Sequence, residues 1–260
     1  MTAVYDALAD VYDLWAAADP ASGPTLQFYS DLFVSAGCTV VELCVGTGRI
    51  ALESASRGAR IIGVDVAPRM LERCRARAAA LGLSDRVDLS LQDARCLSLA
   101  EQVELIACPF RSIGHFIEYA DKRRLFERVH KHLRPGGRFV FDHYLWSEAW
   151  ARTHDRIPRL MVDSRTADGA VLVWDTYLYD FLKRRMSCTI LVQRLDASGR
   201  ISEAIAPRFE FTWLDPEEVR ALAGEVGFIC EAVHGDFAGG PLTVGASDQV
   251  WVLRRPSESS

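Results

Sequence analysis

The chain has no apolar run approaching the ~20 residues that a helix needs to cross a bilayer, which excludes membrane-spanning helices. It also lacks the basic start and apolar core of a secretory signal. Met1 to Trp15 carries Asp6, Asp10 and Asp13 instead, so the protein is expected to be soluble and cytoplasmic. Paired cysteines are missing too. The seven present (Cys38, Cys44, Cys74, Cys96, Cys108, Cys188, Cys230) are odd in number and scattered, with no Cys-x-x-Cys and no histidine at ligand spacing. They read as reduced thiols packed as small hydrophobes, and no metal site is expected. There is no long basic stripe: net charge is −5, with Lys and Arg dispersed among acids, so a nucleic-acid partner is disfavoured.

With 49% apolar residues in a chain of 260, there is ample material for a core. Between residues 38 and 145, short β-branched runs alternate with helical stretches, the pattern of βαβ units on a parallel sheet. The strands are Thr39 to Cys44, Arg60 to Asp65, Val87 to Leu91, Val103 to Cys108 and Arg138 to Asp142. Helices are expected over Arg49 to Ser56, Pro68 to Leu81 and Asp121 to Leu133, the last stopped by Pro135-Gly136-Gly137. Ahead of this core, Tyr5 to Trp15 and Pro24 to Ser35 read as two helices separated by Asp19-Pro20 and Gly23-Pro24. After Trp146, four antiparallel stretches follow: Arg159 to Arg165, Val171 to Tyr179, Met186 to Arg194 and Ile201 to Trp213. A helix opened by Asp215-Pro216-Glu217-Glu218, strands Phe228 to His234 and Gln249 to Arg254, and a disordered tail Pro256 to Ser260 complete the chain.

Val40-Val41-Glu42-Leu43-Cys44-Val45-Gly46-Thr47-Gly48-Arg49-Ile50-Ala51 places a Gly-x-Gly turn between a strand and a helix, where a ligand can approach the backbone. A dinucleotide-binding fold would show the same string. Glu42, four residues before Gly46, is costly inside a strand unless it pairs with loop or ligand. Asp65 ends the second strand, 17 residues after Gly48, where a carboxylate can accept both ribose hydroxyls. Asp93 follows the third strand, giving one acid at each successive strand rim. As isolated residues, both aspartates would read as caps or turn formers.

This order of motifs, ending in Leu133-Arg134-Pro135-Gly136-Gly137 before the fifth strand, resembles the class I S-adenosylmethionine-dependent methyltransferases. The resemblance implies an α/β fold: a doubly wound, seven-stranded Rossmann-like sheet whose last strand runs antiparallel. It places the cofactor core at 38–146 and 214–255, an N-terminal helical lid at 1–37, and an inserted antiparallel β layer at 147–213. Gly46 and Gly48 would flank the amino-acid part of the cofactor, Asp65 would hold the ribose, Asp93 with Ala94 the adenine, and Glu42 would support the loop. Arg49, Val66, Met70 and Pro109 would complete the site. Tyr5-Asp6-Ala7-Leu8-Ala9-Asp10-Val11-Tyr12-Asp13 is similar to the lid of small-molecule members such as amino-sugar N-methyltransferases, in which the second tyrosine, here Tyr12, reaches the cofactor carboxylate. An aromatic staple with Trp15 is the alternative for Tyr12.

Methyl transfer from a sulfonium needs positioning and exclusion of water more than a dedicated base. Ligands of open α/β sheets lie beyond the strand carboxyl ends, here Pro109 to Phe116 and His143 to Trp146. His143, and secondarily His115, are the candidate bases. Trp15, Phe110, Tyr144 and Trp146 are candidate aromatic walls for the acceptor. Arg111 stands where related enzymes carry Asn, and is available to an anionic substrate or to an acid of the lid. Ala107-Cys108-Pro109-Phe110 lacks the Asx-Pro-Pro string of enzymes that methylate DNA base amines. The expected activity is methylation of an O or N atom of a small metabolite such as a natural-product intermediate, with S-adenosylhomocysteine as product. A cofactor-binding protein that does not methylate and an NAD-dependent oxidoreductase remain alternatives. A homodimer through the inserted strands is plausible.

Overall fold

The computed structural model describes residues 2–257, so the end of the tail expected to be disordered lies outside the described residues. Three helices come first: α1 (Thr2–Leu8), α2 (Tyr12–Ala17) and α3 (Ser22–Ser35). The alternating core follows as β1 (Thr39–Leu43), α4 (Arg49–Ser56), β2 (Arg60–Asp65), α5 (Pro68–Ala80), β3 (Val87–Leu91), β4 (Val103–Cys108), α6 (Tyr119–His132) and β5 (Leu133–Tyr144). Next stand α7 (Glu148–His154) and five strands, β6 (Arg159–Thr166), β7 (Gly169–Asp180), β8 (Arg185–Asp196), β9 (Ile201–Ile205) and β10 (Arg208–Thr212). The chain closes with α8 (Pro216–Val226), β11 (Ile229–His234) and β12 (Asp248–Arg254). No described helix is long and apolar enough to cross a membrane.

The seven-stranded sheet runs β11-β12-β5-β4-β1-β2-β3. β1 to β5 pair in parallel, and β12 alone is reversed, antiparallel to both β5 and β11. The reversal puts Asp248, the first residue of β12, opposite Tyr144 at the end of β5. The edge that gathers the carboxyl ends of the parallel strands therefore also receives the start of β12.

Strand alternation divides the core between the two faces of the sheet. Val40, Ile61, Leu105, Val140 and Val250 pack under α3, α4 and α5, through residues such as Tyr29, Ile50 and Leu71. Val41, Ile106, Phe139, Phe141 and Trp251 pack under α6 and α8, through Phe126 and Leu222. With both faces covered, the inner strands read in sequence as apolar runs, while the edge strand β3 alternates; β2, β3 and β4 have the bounds expected from the sequence.

The other strands form a five-stranded antiparallel sheet ordered β10-β8-β7-β6, with β9 on β8. Its face carrying Val173, Cys188, Ile190 and Val192 packs on Leu8 and Val11 of the lid. Opposite, the lid lies against α5, whose basic residues at helical spacing meet the lid acids. Asp10 pairs with Arg69 (3.3 Å) and Arg73 (3.1 Å), and Asp13 with Arg77 (3.0 Å). Asp6 accepts from the Arg69 backbone N–H near the start of α5 (2.9 Å). The lid thus fills the gap between the two sheets.

Five expectations about elements change, the first being that Gly23-Pro24, expected to separate the helices, lies in the first turn of α3. The first lid helix breaks between Leu8 and Tyr12 into two short ones. The stretch expected over Ile201 to Trp213 is two strands, because Pro207 has no N–H to give the ladder; its carbonyl still accepts from Ile190 (2.9 Å). β5 is longer at both ends than Arg138 to Asp142, with Gly136 and Gly137 pairing with Arg255 after β12. α7 lies inside the region expected to be strands, capped by the Ser147 hydroxyl, which accepts from the Trp150 N–H (3.3 Å).

Gly48 begins α4 with φ +79°, and a Cβ there would stand 2.4 Å from Cys74 Sγ. Gly48→Ala is expected to lower unfolding free energy by about 1–3 kcal/mol, read by urea denaturation, from left-handed strain plus overpacking. Adding Cys74→Ala should return part of that loss. Equal loss with and without Cys74 would show that the clash contributes nothing.

Candidate active site

Two cavities adjoin at the carboxyl edge of the main sheet. The first, about 270 Å³, is lined by Cys44, Gly46, Asp65, Val66, Met70, Asp93 and Ala94 from the sheet edge, Tyr5, Tyr12 and Trp15 from the lid, and Phe110, His115, Phe209 and Phe211. The second, about 1230 Å³, runs between α3 (Gln27, Phe28, Asp31), the β layer (Met161, Tyr179) and α7 (Trp150), and is bordered by Asp236 and Phe237. Asp19, Arg111, Tyr144, Tyr177 and Met186 line both. These five residues are the junction of the chambers.

In the first chamber Asp65 is nine-tenths buried, and accepts from the backbone N–H of Gly46 (2.8 Å) and of Ala67 (2.9 Å). Burial raises its pKa, and these N–H groups oppose the rise. Gly46 has φ +56° and its Cα faces Tyr12; a Cβ there would lie 3.9 Å from the phenol ring. Cys44 takes φ +58°, a conformation more usual for glycine, directly at the chamber wall. The Asp93 carboxylate is already engaged: Arg95 binds both its oxygens (2.6 and 3.0 Å) and also reaches Asp121 (3.0 Å). That ion pair keeps the Asp93 carboxyl below its usual range.

Two buried atoms of opposite character frame the glycine turn. Glu42 is 3% exposed, its Oε2 has no hydrogen-bond partner among the described residues, and burial raises its pKa well above the ordinary value. Arg49 bonds Ser22 Oγ and stacks 4.8 Å over Phe110, yet its second terminal nitrogen is buried without a partner among the described residues. An unpaired acceptor and an unpaired guanidinium donor beside one turn are the complement of an amino-acid zwitterion. With Asp65 at the rim of the next strand, the donor set fits a nucleoside joined to an amino acid.

At the junction, Arg111 gives NH1 to Asp19 in the turn between α2 and α3 (2.9 Å) and lies 3.6 Å from Asp248. Of the two partners expected for Arg111, the structure shows the lid acid. Asp248 is almost wholly buried, and its Oδ1 has no hydrogen bond among the described residues. Two carboxylates to one guanidinium leave the junction with excess negative charge. Tyr144 lies under the guanidinium, 5.9 Å from it.

Several expected site residues are placed differently. His143 is fully buried and lines neither cavity; it pairs across the ladder with Gln249 and packs 5.3 Å from Phe211. β5 continues to Tyr144, so the residue expected just beyond a strand end lies within the strand. Burial pushes its pKa down to about 3. His115 does face the first chamber, its Nε2 2.8 Å from the Tyr5 hydroxyl, and burial pushes it down to about 4. Gly48, Arg49, Glu42 and Pro109 line neither cavity. Gly48 is required by packing on Cys74, and the Pro109 carbonyl accepts from Ser112 Oγ (2.7 Å). Trp15 and Phe110 stand in the first chamber and Trp146 in the second, stacked 3.7 Å on Trp213. Tyr5, Asp19, Asp142, Tyr177 and Asp248 were not foreseen as site residues. Of these only Asp142 carried a signal, as an acid inside an apolar strand like Glu42.

Residues 40–137 match the family model described as a methyltransferase domain. Cypemycin N-terminal methyltransferase of Streptomyces is 25% identical over 97% of this chain and 98% of its own length. Carboxy-S-adenosyl-L-methionine synthase of Yersinia enterocolitica is 34% identical over 119 residues; the match spans only 41% of that protein and 46% of this one. Among solved structures, the CcbJ methyltransferase of Streptomyces caelestis superposes with a TM-score of 0.80 at 24% identity, covering 98% of both chains, and shows the same fold. The matched segment of the methyltransferase domain holds the glycine turn, Asp65, Asp93 and Arg111. Asp19, Tyr144, Tyr177, Met186 and Asp248 lie outside it.

Because the folded state lowers the His143 pKa from 6.5 to about 3, this group's contribution is present above pH 6.5 and is lost as pH falls toward 3. His143→Leu is expected to reduce the slope of unfolding free energy against pH, between about pH 6 and 4, by about 1.4 kcal/mol per unit. An unchanged slope in acid denaturation would contradict the buried, neutral assignment.

Proposed function

We propose that the chain transfers a methyl group from S-adenosylmethionine to a nitrogen or oxygen of a small-molecule metabolite in the second chamber, leaving S-adenosylhomocysteine. The carrying observation is the pair of chambers meeting at one five-residue junction, the first lined by the glycine turn, Asp65 and Asp93. When bound, S-adenosylmethionine supplies an electrophilic methyl on a positively charged sulfur. Gly46, with Tyr12 over it, would meet its amino-acid end, and Glu42 and Arg49 would back the same turn from beneath. Asp65 would accept the ribose hydroxyls, and Ala94, Val66 and Met70 would enclose the adenine, with Asp93 held beside it by Arg95.

The chain's own contribution is placement and dryness. α1 and α2 form a lid over the first chamber, and β6 to β10 supply much of the aromatic wall, with Tyr177, Phe209 and Phe211 among its members. Aromatic faces and excess negative charge both favour a cation at the junction. Of the two acceptor atoms the junction favours nitrogen. A neutral amine that gains a methyl becomes a cation beside Asp19 and Asp248, whereas an alkoxide or phenolate would be repelled there. The relative named for N-terminal methylation accords with this reading. A cytoplasmic location fits seven unpaired cysteines. The match to carboxy-S-adenosyl-L-methionine synthase covers this same cofactor half, and keeps one second reading in play: a protein that binds the cofactor for chemistry other than methylation.

Calorimetric titration with S-adenosylmethionine and S-adenosylhomocysteine tests the reading. Both should bind, and Asp65→Ala should weaken them by about 10- to 100-fold, the loss of charged hydrogen bonds to ligand and loop. NAD binding with no binding of either sulfur compound would sink the proposal. Cofactor binding without methylation of any member of an amine and alcohol panel would favour the second reading.

A further inference from the structure

The loop after β4 determines where the two chambers meet, and its backbone is one that side-chain-bearing residues avoid. Phe110 and Arg111 stand in succession at φ +54° and +61°. Phe110 projects into the first chamber beneath Arg49, and Arg111 reaches the junction between Asp19 and Asp248. Both backbone N–H groups of this strained pair donate to one side chain. Asp142, in β5, accepts from the Phe110 N–H at 2.8 Å and from the Arg111 N–H at 3.0 Å. Its third contact comes from the other side of the cleft, the Tyr29 hydroxyl of α3 at 2.8 Å. Asp142 and Tyr29 are both fully buried.

We propose that Asp142, with Tyr29 behind it, is the positioning residue of the transfer site, its ionised carboxylate holding Phe110 in the cofactor chamber and Arg111 at the junction. This rests on reading the two chambers as cofactor and acceptor sites. Three donors converge on Asp142 and it gives none in return, the bonding pattern of a carboxylate. A buried charge is expensive, and a left-handed pair without glycine is strained. Here each feature offsets the other, at a point that contributes to both chambers. A side chain needed only for packing would require neither.

The charged and titratable groups around Asp142 are Tyr29 on α3, Cys108 on β4, Arg111 on the loop, and Asp19 and Asp248 beyond that guanidinium, with Glu42 acting on Tyr29 from β1. Burial pushes the Asp142 carboxyl up to about 6, while Tyr29, Arg111 and the two loop N–H groups pull it down. Protonation therefore falls within an accessible pH range. It weakens the hold on the loop, and Phe110 is then free to leave its place beneath Arg49.

The test is calorimetric titration with S-adenosylhomocysteine from pH 5 to 8 on wild type, Asp142→Asn and Tyr29→Phe. Wild-type affinity is expected to fall about tenfold as pH drops through about 6. Asp142→Asn should bind about tenfold more weakly at pH 8 and lack that inflection. Tyr29→Phe keeps the carboxylate but removes a donor to it, so the inflection should move to higher pH, a shift that lost packing would not produce. If Asp142→Asn does not fold, the Tyr29→Phe shift carries the test. Wild-type affinity and pH profile in Asp142→Asn, or an unmoved inflection in Tyr29→Phe, would overturn the assignment. A wild type that does not bind S-adenosylhomocysteine at pH 8 would remove the cofactor reading, and this inference with it.

Discussion

The structure depends on five carboxylates gathered along one edge of a sheet, all but Asp93 buried. Read across it, Asp248 begins β12, Asp142 lies near the end of β5, Glu42 near the end of β1, Asp65 ends β2, and Asp93 follows β3. A charge in such a place is tolerated only with partners, and the partners found here define the site. Asp65 takes the N–H groups of the glycine turn and of the residue before α5. Asp142 takes those of the loop after β4. Glu42 and Asp248 each retain an oxygen without a hydrogen bond among the described residues. Each acid thus fixes a loop, offers an acceptor to a ligand, or does both. The reversed strand β12 matters for the same reason, since only its antiparallel direction brings Asp248 to this edge.

The lid is held on that edge by two kinds of force. Between lid and β layer the contact is apolar, Leu8 and Val11 against Val173 and Ile190. Between lid and α5 it is ionic and largely exposed, so the Asp10 pairs with Arg69 and Arg73 contribute little individually and weaken with salt. Orientation therefore comes from the charges and adhesion from the apolar side. Asp13 joins the two roles, since it also accepts from Thr47 in the glycine turn (2.5 Å). Asp6, Asp10 and Asp13, three acids on or between the first two helices, are thus the residues that register those helices over the first chamber.

Secondary structure in the core was legible because strands covered on both faces are bounded apolar runs and the edge strand alternates apolar with polar residues, both punctuated by turn residues. Arg60 to Asp65, Val87 to Leu91 and Val103 to Cys108 needed no tertiary information. The end of β5 did need it: His143 belongs to the strand only because Gln249 pairs with it from more than a hundred residues away. Gly46 and Asp65 were legible as lining residues because strand, turn and acid are local in sequence. Asp19, Tyr177 and Asp248 come together at the junction from the lid, the β layer and the last strand, and no spacing rule connects them. Arg111 was recognisable as unusual, but its partners were not. Asp142 was open to the same reasoning as Glu42, an acid among Val140, Phe141 and Tyr144, and could have been found by it.

The edge that makes the site also sets a limit on how stable the fold can be. Replacing buried carboxylates such as Glu42 and Asp142 by apolar residues of similar volume removes a desolvation cost, and in well-packed surroundings such replacements are often neutral or stabilising. Here the gain would be local and the loss wide. Without Asp142 two loop N–H groups lose their acceptor, and the left-handed pair Phe110 and Arg111 loses its anchor. The unfavourable burial is therefore better understood as cost borne for positioning than as imperfect packing. It also accounts for the concentration of unusual backbone at this edge, where Cys44, Phe110 and Arg111 all stand at positive φ. Three of the five non-glycine residues at positive φ among the described residues gather at this rim with four buried acids, while the two apolar layers beneath it, Val140 with Val250 on one face and Phe141 with Trp251 on the other, supply the stability that carries them.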